Sequence, residues 1–250
     1  MEADPPPHGV KLARRNTAIQ RHVDRTASNI ANVDTPGYRG IKQNFREYIK
    51  KENEAGDGQT KPYTISMVST GTEILDLTDG KIVSTGNPTD VAIRGSGWFA
   101  IDTPEGQRYT KDGSFVVRAD GVLVNRAGLP VAASSGSLRV LKSDGPVSIS
   151  ADGAVVAGNR MLGHLKVVEF QDSRAIRPEG NNLYNAVSEV PRSVQANLAP
   201  GFLEISNVVG AYELINIAQL TRTYENVLKL MLSEASPNEL QRLSGQTETS

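Results

Sequence analysis

Leu214, Ile217, Thr221, Tyr224, Leu228 and Met231 follow one another at spacings of 3, 4, 3, 4 and 3, the seam of a heptad repeat. No proline interrupts residues 206–236, so the pattern can run as one helix roughly 45 Å long. A second apolar edge, made by Val208, Tyr212, Ile215, Ala218 and Val227, lets such a helix meet more than one neighbour. A helix of that length outruns any small domain beside it and draws its stability from packing. It therefore demands a helical partner, inside the chain or in another copy.

The other end of the chain supplies one. Residues 11–32 contain neither proline nor glycine, and Leu12, Ile19, Val23, Ala27 and Ile30 recur at helical spacing along one stripe. The helix is expected to stop at Asp34-Thr35-Pro36-Gly37-Tyr38, because Pro36 turns Thr35 away from the α region and Gly37 tolerates positive φ. Residues 51–62 are polar and rich in breakers and read as a loop.

From about residue 63 to 199 the chain changes to short runs with β-branched residues. The runs at 90–94, 98–102, 114–118, 121–125, 137–141, 147–150 and 163–170 read as strands. Asp112-Gly113, Asp120-Gly121, Asp144-Gly145 and Asp152-Gly153 read as tight hairpin turns between them. The expected fold is α+β, an antiparallel all-β central domain inserted between N- and C-terminal helices that pair as a coiled-coil-like bundle. The expected divisions are a helix and turn over 1–40, an extended linker over 41–75, the β domain over 76–203 and the heptad helix over 204–250.

Several chemistries find no support. Without cysteine there are no disulfides, thiolate nucleophiles or thiolate metal sites. His8, His22 and His164 lie in three separate segments, and no HExxH or paired-carboxylate metal loop is present. Gly56-Asp-Gly58 and Gly95-Ser-Gly97 complete neither GxGxxG nor GxxxxGK[ST], and there is no GxSxG elbow. No catalytic, cofactor or metal residue is therefore assigned. No run is apolar enough to span a membrane, and the opening MEADPPPHGV lacks the pattern of a Sec-type signal.

The net charge of −1 gives no footprint for nucleic acid, but residues 11–51 hold ten basic and three acidic side chains. A basic amphipathic helix can meet nucleic acid or an anionic membrane surface. This stripe carries no Trp or Phe, so pairing with acidic surface on neighbouring subunits is the favoured use. A competing reading places a carbohydrate-binding or enzymatic site on the β domain around Trp98, Tyr109 and Lys111. The run Trp98-Phe-Ala-Ile101 instead puts Trp98 in a strand facing the core.

Three motifs carry a resemblance. The string Ala27-Ser-Asn-Ile-Ala-Asn-Val-Asp-Thr-Pro-Gly-Tyr-Arg39 closely resembles the N-terminal motif of the bacterial flagellar rod, hook and hook-filament junction proteins. Gly86-Asn-Pro-Thr-Asp-Val-Ala-Ile-Arg-Gly-Ser-Gly-Trp-Phe-Ala100, followed by Tyr109-Thr-Lys-Asp-Gly-Ser-Phe115, resembles the opening of that family's β domain. Gly201-Phe-Leu-Glu-Ile-Ser-Asn-Val208, with Arg222-Thr-Tyr-Glu225, resembles the lead into its C-terminal helix. The length excludes the extra outer domain of hook proteins, which leaves the proximal and distal rod branches. A compact middle with the single run Gly163-His-Leu-Lys-Val-Val-Glu-Phe170 looks most like the proximal branch.

The resemblance implies a structural, non-enzymatic subunit of the periplasmic rod of the flagellar basal body. Its implied partners are other rod subunits, copies of itself and the flagellar type III export apparatus, with no nucleic acid, no membrane insertion and no cofactor. The residues expected at assembly interfaces are Ile19, Val23, Asn29, Ile30, Asn32, Thr35, Gly37 and Tyr38 at one end. At the other end they are Leu214, Ile217, Thr221, Tyr224, Leu228 and Met231.

Overall fold

The apolar stripe near the N-terminus becomes a helix, α1 (His8–Ala31), in a computed structural model that describes residues 8–53, 62–172 and 175–234. It stops as the sequence predicts. The Thr35 amide donates to the Asn32 carbonyl at 3.1 Å, Pro36 follows, and Gly37 takes φ +67. The heptad stretch forms α2 (Gly210–Glu234).

Between the helices the chain is β. Strands β1 (Ile41–Asn53) and β2 (Pro62–Leu75) form a sheet of two. The expected linker over 41–75 is thus extended but paired; of the expected loop over 51–62, residues 51–53 and 62 lie in these strands and residues 54–61 lie outside the described residues. Backbone groups can satisfy one another across such a ladder whatever the side chains, so a polar segment gives little sequence warning of it.

Next come β3 (Ile82–Ser84), β4 (Val91–Ile93), β5 (Trp98–Thr103), β6 (Gly106–Thr110), β7 (Val116–Val117), β8 (Leu123–Val124) and β9 (Ala133–Gly136). The series continues with β10 (Val147–Ile149), β11 (Ala154–Ala157), β12 (Arg160–Leu165), β13 (Val167–Glu169), β14 (Ile176–Gly180), β15 (Leu183–Ala186), β16 (Arg192–Val194), β17 (Leu198–Pro200) and β18 (Phe202–Glu204). A six-stranded sheet has the order β14-β15-β6-β5-β13-β16 and a four-stranded one the order β10-β11-β12-β9. Pairs β17-β4, β18-β3 and β7-β8 complete the set, and the registered pairings are antiparallel.

Strand β5 shows how the alternation builds the interior. Phe99 and Ile101 enter the larger core with Phe115, Leu123 and Val155, while Trp98 and Ala100 face a second cluster with Tyr109, Val168 and Tyr184. The aromatic rings meet edge to face, Phe99 on Phe115 at 5.1 Å and Trp98 on Tyr184 at 5.0 Å.

Four strand expectations need correction. The run 163–170 is split. Its first part, in β12, pairs with β9, and after a register shift at His164/Leu165 the rest becomes β13 and pairs with β5 and β16. A bulge of this kind lets one run serve two sheets. Residues 137–141 form no strand; Arg139 makes a single bridge to Val122, and the Leu141 amide bonds Asp144 Oδ2 at 2.7 Å in a turn. The runs 114–118 and 121–125 shorten to the two-residue strands β7 and β8. Of the four Asp-Gly turns, Gly121 and Gly153 take positive φ, whereas Gly113 is needed for closeness: a Cβ there would sit 1.7 Å from the Val91 carbonyl oxygen.

The chain divides into two compact units. One contains residues up to Ile30, Gln43–Glu73 and the stretch from Gly210; the other contains Ala31–Lys42 and Ile74–Val209. The first is the helical unit and the second the β unit.

Candidate functional site

Parts of all three motif stretches, residues 31–39, 86–115 and 201–208, meet inside the β unit. Residues 31–42, which follow α1 directly, pack there rather than with the helices. Gly37 is the point of closest approach. Its φ of +67 is a left-handed conformation, and a Cβ would lie 2.3 Å from both the Asp112 nitrogen and the Lys111 carbonyl carbon, so only glycine fits. The Gly37 amide donates to the Glu204 carbonyl at 2.7 Å, and Asn182 Nδ2 donates to the Pro36 carbonyl at 2.8 Å.

Arg39, 1% exposed, lies two residues further on. Its Nη1 donates to Glu204 Oε1 at 2.6 Å, its Nη2 to Asp79 Oδ1 at 3.0 Å, and its backbone amide to the Tyr184 hydroxyl at 3.2 Å. Glu204, 2% exposed, also accepts the Gly80 amide at 2.6 Å on Oε1. Two charges this deeply buried survive because each finds the other and further hydrogen bonds. The effect is to fasten the segment leaving α1 onto the segment leading toward α2.

Lys111 sits beside this pair, 3% exposed. Its Nζ donates to the Gly95 carbonyl at 2.6 Å and lies 5.7 Å from the Trp98 ring centroid. Burial and then the Arg39 charge lower its pKa to about 8, although Glu204 and Asp79 pull the other way. Burial likewise pushes the Tyr184 hydroxyl up to about 12.

The Lys111 shift has a measurable consequence. Between about pH 8 and pH 10 the unfolded chain keeps this proton while the folded chain releases it, so stability should rise with pH, by up to about 3 kcal/mol. Below that window both states are charged and Lys111 contributes no slope. Above it the raised Tyr184 reverses the sign, because the folded chain then holds the extra proton. Thermal melts across the window check this, and Lys111→Met should flatten the rise.

In the helical unit, Asn29 (4% exposed) donates from Nδ2 to Glu213 Oε1 at 2.9 Å and joins α1 to α2. Glu213 is also close enough to act on His22, whose pKa is lowered by burial first and Arg25 second, with Glu213 opposing. Ile19, Val23 and Ile30 are half-buried on α1. On α2 Ile217, Tyr224 and Leu228 are half-buried, Leu214 and Thr221 are exposed, and the Met231 side chain lies outside the described residues. The second edge is open as well: Tyr212 is 69% and Ile215 55% exposed, beside Leu214 at 58%.

The residues expected at assembly interfaces thus separate into two groups. Gly37 and Tyr38 are buried in the chain's own β unit, because the turn after α1 docks there. Asn32 and Thr35 hold that turn, Thr35 Oγ1 donating to Asn32 Oδ1 at 3.1 Å. The apolar residues of the helices remain as the set with uncovered surface. Sequence reasoning missed Arg39, Glu204, Asp79, Lys111 and Asn182 as a connected group. Arg39 and Glu204 stood inside quoted motifs, but nothing local says that they meet across 165 positions.

The competing site around Trp98 lacks an open ring. Trp98 is 2% and Tyr109 6% exposed, so neither can stack on a sugar. Among the described residues no helix is long and apolar enough to cross a membrane, and no group of three or more acidic or histidine side chains is placed to hold a metal.

Comparison with known proteins agrees with this layout. The model of the "Flagella basal body rod protein" family matches residues 12–39, and that of the "Flagellar hook protein FlgE/F/G D1 domain" matches residues 92–157. The chain is 33% identical over 239 residues to the flagellar basal-body rod protein FlgF of Caulobacter vibrioides, covering 94% of this chain and 96% of that one. It is 32% identical to FlgF of Rhizobium meliloti, covering 86% and 87% of the two chains. Similarity to the flagellar basal-body rod protein FlgG of Buchnera aphidicola is 30%, over 91% and 94%.

Proposed function

Since this chain belongs to the flagellar basal-body rod protein family, we propose that its helical unit bonds subunit to subunit while its buried β-unit joint keeps each subunit stiff. It is a structural subunit of the rod and not an enzyme, and its place is the basal-body rod. The observation that carries the proposal is the pair of open apolar edges on α2, where Tyr212, Leu214 and Ile215 are each more than half exposed. Exposed apolar surface on that scale is covered in an assembly.

The two helices pair as a coiled-coil-like bundle, the Asn29–Glu213 bond being one of its contacts. Other copies and other rod subunits cover what remains, through heterologous contacts in which one patch meets a different patch on the next subunit. Torque then passes through close-packed side chains, so stiffness scales with interdigitated area. The flagellar type III export apparatus delivers the chain.

Within the family the chain takes the proximal position. Its FlgF relatives reach 31–33% identity, slightly above the 29–30% of its FlgG relatives. Complementation tests the choice. The gene should restore swimming to a strain lacking the proximal subunit and fail in one lacking the distal subunit. The reverse pattern would move the chain to the distal rod.

A further inference from the structure

The division of the chain into two units means that it passes between them four times: after Ile30, after Lys42, after Glu73 and after Val209. One side chain in the β unit touches three of these passages. Asn207, two positions before Val209, accepts the Gly40 amide on Oδ1 at 2.8 Å. Its Nδ2 donates to the Asp76 carbonyl at 2.8 Å and to the Thr78 carbonyl at 2.9 Å, and its own amide donates to the Tyr38 carbonyl at 3.4 Å. Residues 38–40 lead to the second passage and residues 76–78 leave the third.

Neighbouring contacts reinforce the same point. The Asp76 amide donates to the Gly40 carbonyl at 2.8 Å, and Lys42 Nζ lies 2.6 Å from Asp76 Oδ2. An amide side chain suits this place because it offers an acceptor and two donors on one short, planar group. Aspartate would keep the acceptor and lose both donors, and alanine would lose all three contacts.

We propose that Asn207 is a coupling residue, a bond point that ties the second, third and fourth passages together so that load arriving on one is shared by all three. Its mechanical role rests on the rod reading above; the tie itself does not. The second and third passages are already bonded to each other through Asp76, and Asn207 adds the fourth to them. With it the β unit presents one stiff attachment.

The test uses hydrogen exchange on the full chain together with motility. In Asn207→Ala, exchange at the Gly40 and Asp76 amides should quicken by roughly tenfold, as expected for losing a hydrogen bond and its neighbours. The Ala100 and Ala132 amides, inside the β core, should keep their rates. In Asn207→Asp the Gly40 amide should stay slow, because its acceptor is kept, and this contrast with alanine keeps the test sharp should the alanine variant fold poorly. Unchanged rates at Gly40 and Asp76, or an equal increase spread through the core, would overturn the tie. Cells carrying either variant should build rods but lose swimming speed first in viscous medium. A wild-type speed under load alongside the predicted exchange pattern would overturn the coupling role and leave the rod assignment standing.

Discussion

Replacing Arg39 by leucine should destabilise the β unit by about 3–5 kcal/mol, the usual consequence of removing one partner of a buried ion pair. Glu204 would be left 2% exposed with the Gly80 amide as its remaining donor on Oε1. Asp79, 61% exposed at its side chain, can turn to water, so the loss concentrates on Glu204. For a unit of this size the melting temperature should fall by roughly 10 °C. Adding Glu204→Leu to Arg39→Leu should recover a large part of the loss, because the stranded charge is then gone. Thermal and urea unfolding of the single and double variants measure this. A single variant melting within about 2 °C of the parent would show that the pair does not hold the joint.

Changing Leu214 and Leu228 together to glutamate should abolish swimming while leaving the β unit's melting unchanged. Leu214 is 58% exposed and Leu228 half-buried, so neither is needed to fill the β core. Glutamate forms helix nearly as well as leucine, and α2 can persist. The loss falls on subunit contacts. Each leucine buried on assembly is worth about 1.5–3 kcal/mol, so two weaken association by at least a hundredfold, before the added cost of desolvating carboxylates. Glutamate at Thr221, exposed and back-bonded from Oγ1 to the Ile217 carbonyl at 2.9 Å, should have a smaller effect because no large apolar area is removed.

The two helices were legible because their signals are local and repetitive. The stop at Pro36-Gly37 and the heptad spacing of Leu214, Ile217 and Tyr224 each appear within one or two turns of sequence. Strand β5 was legible for the same reason, since Trp98-Phe-Ala-Ile101 is strongly apolar and bounded by Gly97 and Pro104. What could not be read depends on partners far along the chain. The switch between β12 and β13 is dictated by which strands stand on either side, and no residue in the run 163–170 announces it. Sheet β1-β2 pairs segments from either side of residues 54–61, and nothing local in either one names the other as its partner. The Arg39–Glu204 joint joins residues that look like ordinary surface charges when read in line, and burial appears only once three distant stretches have met. Family resemblance marked those stretches as special without saying that they touch.

Imaging basal bodies from cells whose only copy of this chain carries Leu214→Glu and Leu228→Glu tests the central claim most directly, with the purified variant's β-unit melt measured in parallel. The account predicts an unaltered melt and basal bodies whose rod stops short of completion. Complete, hook-bearing basal bodies built with the variant would contradict it, since the α2 edges would then not be where subunits join.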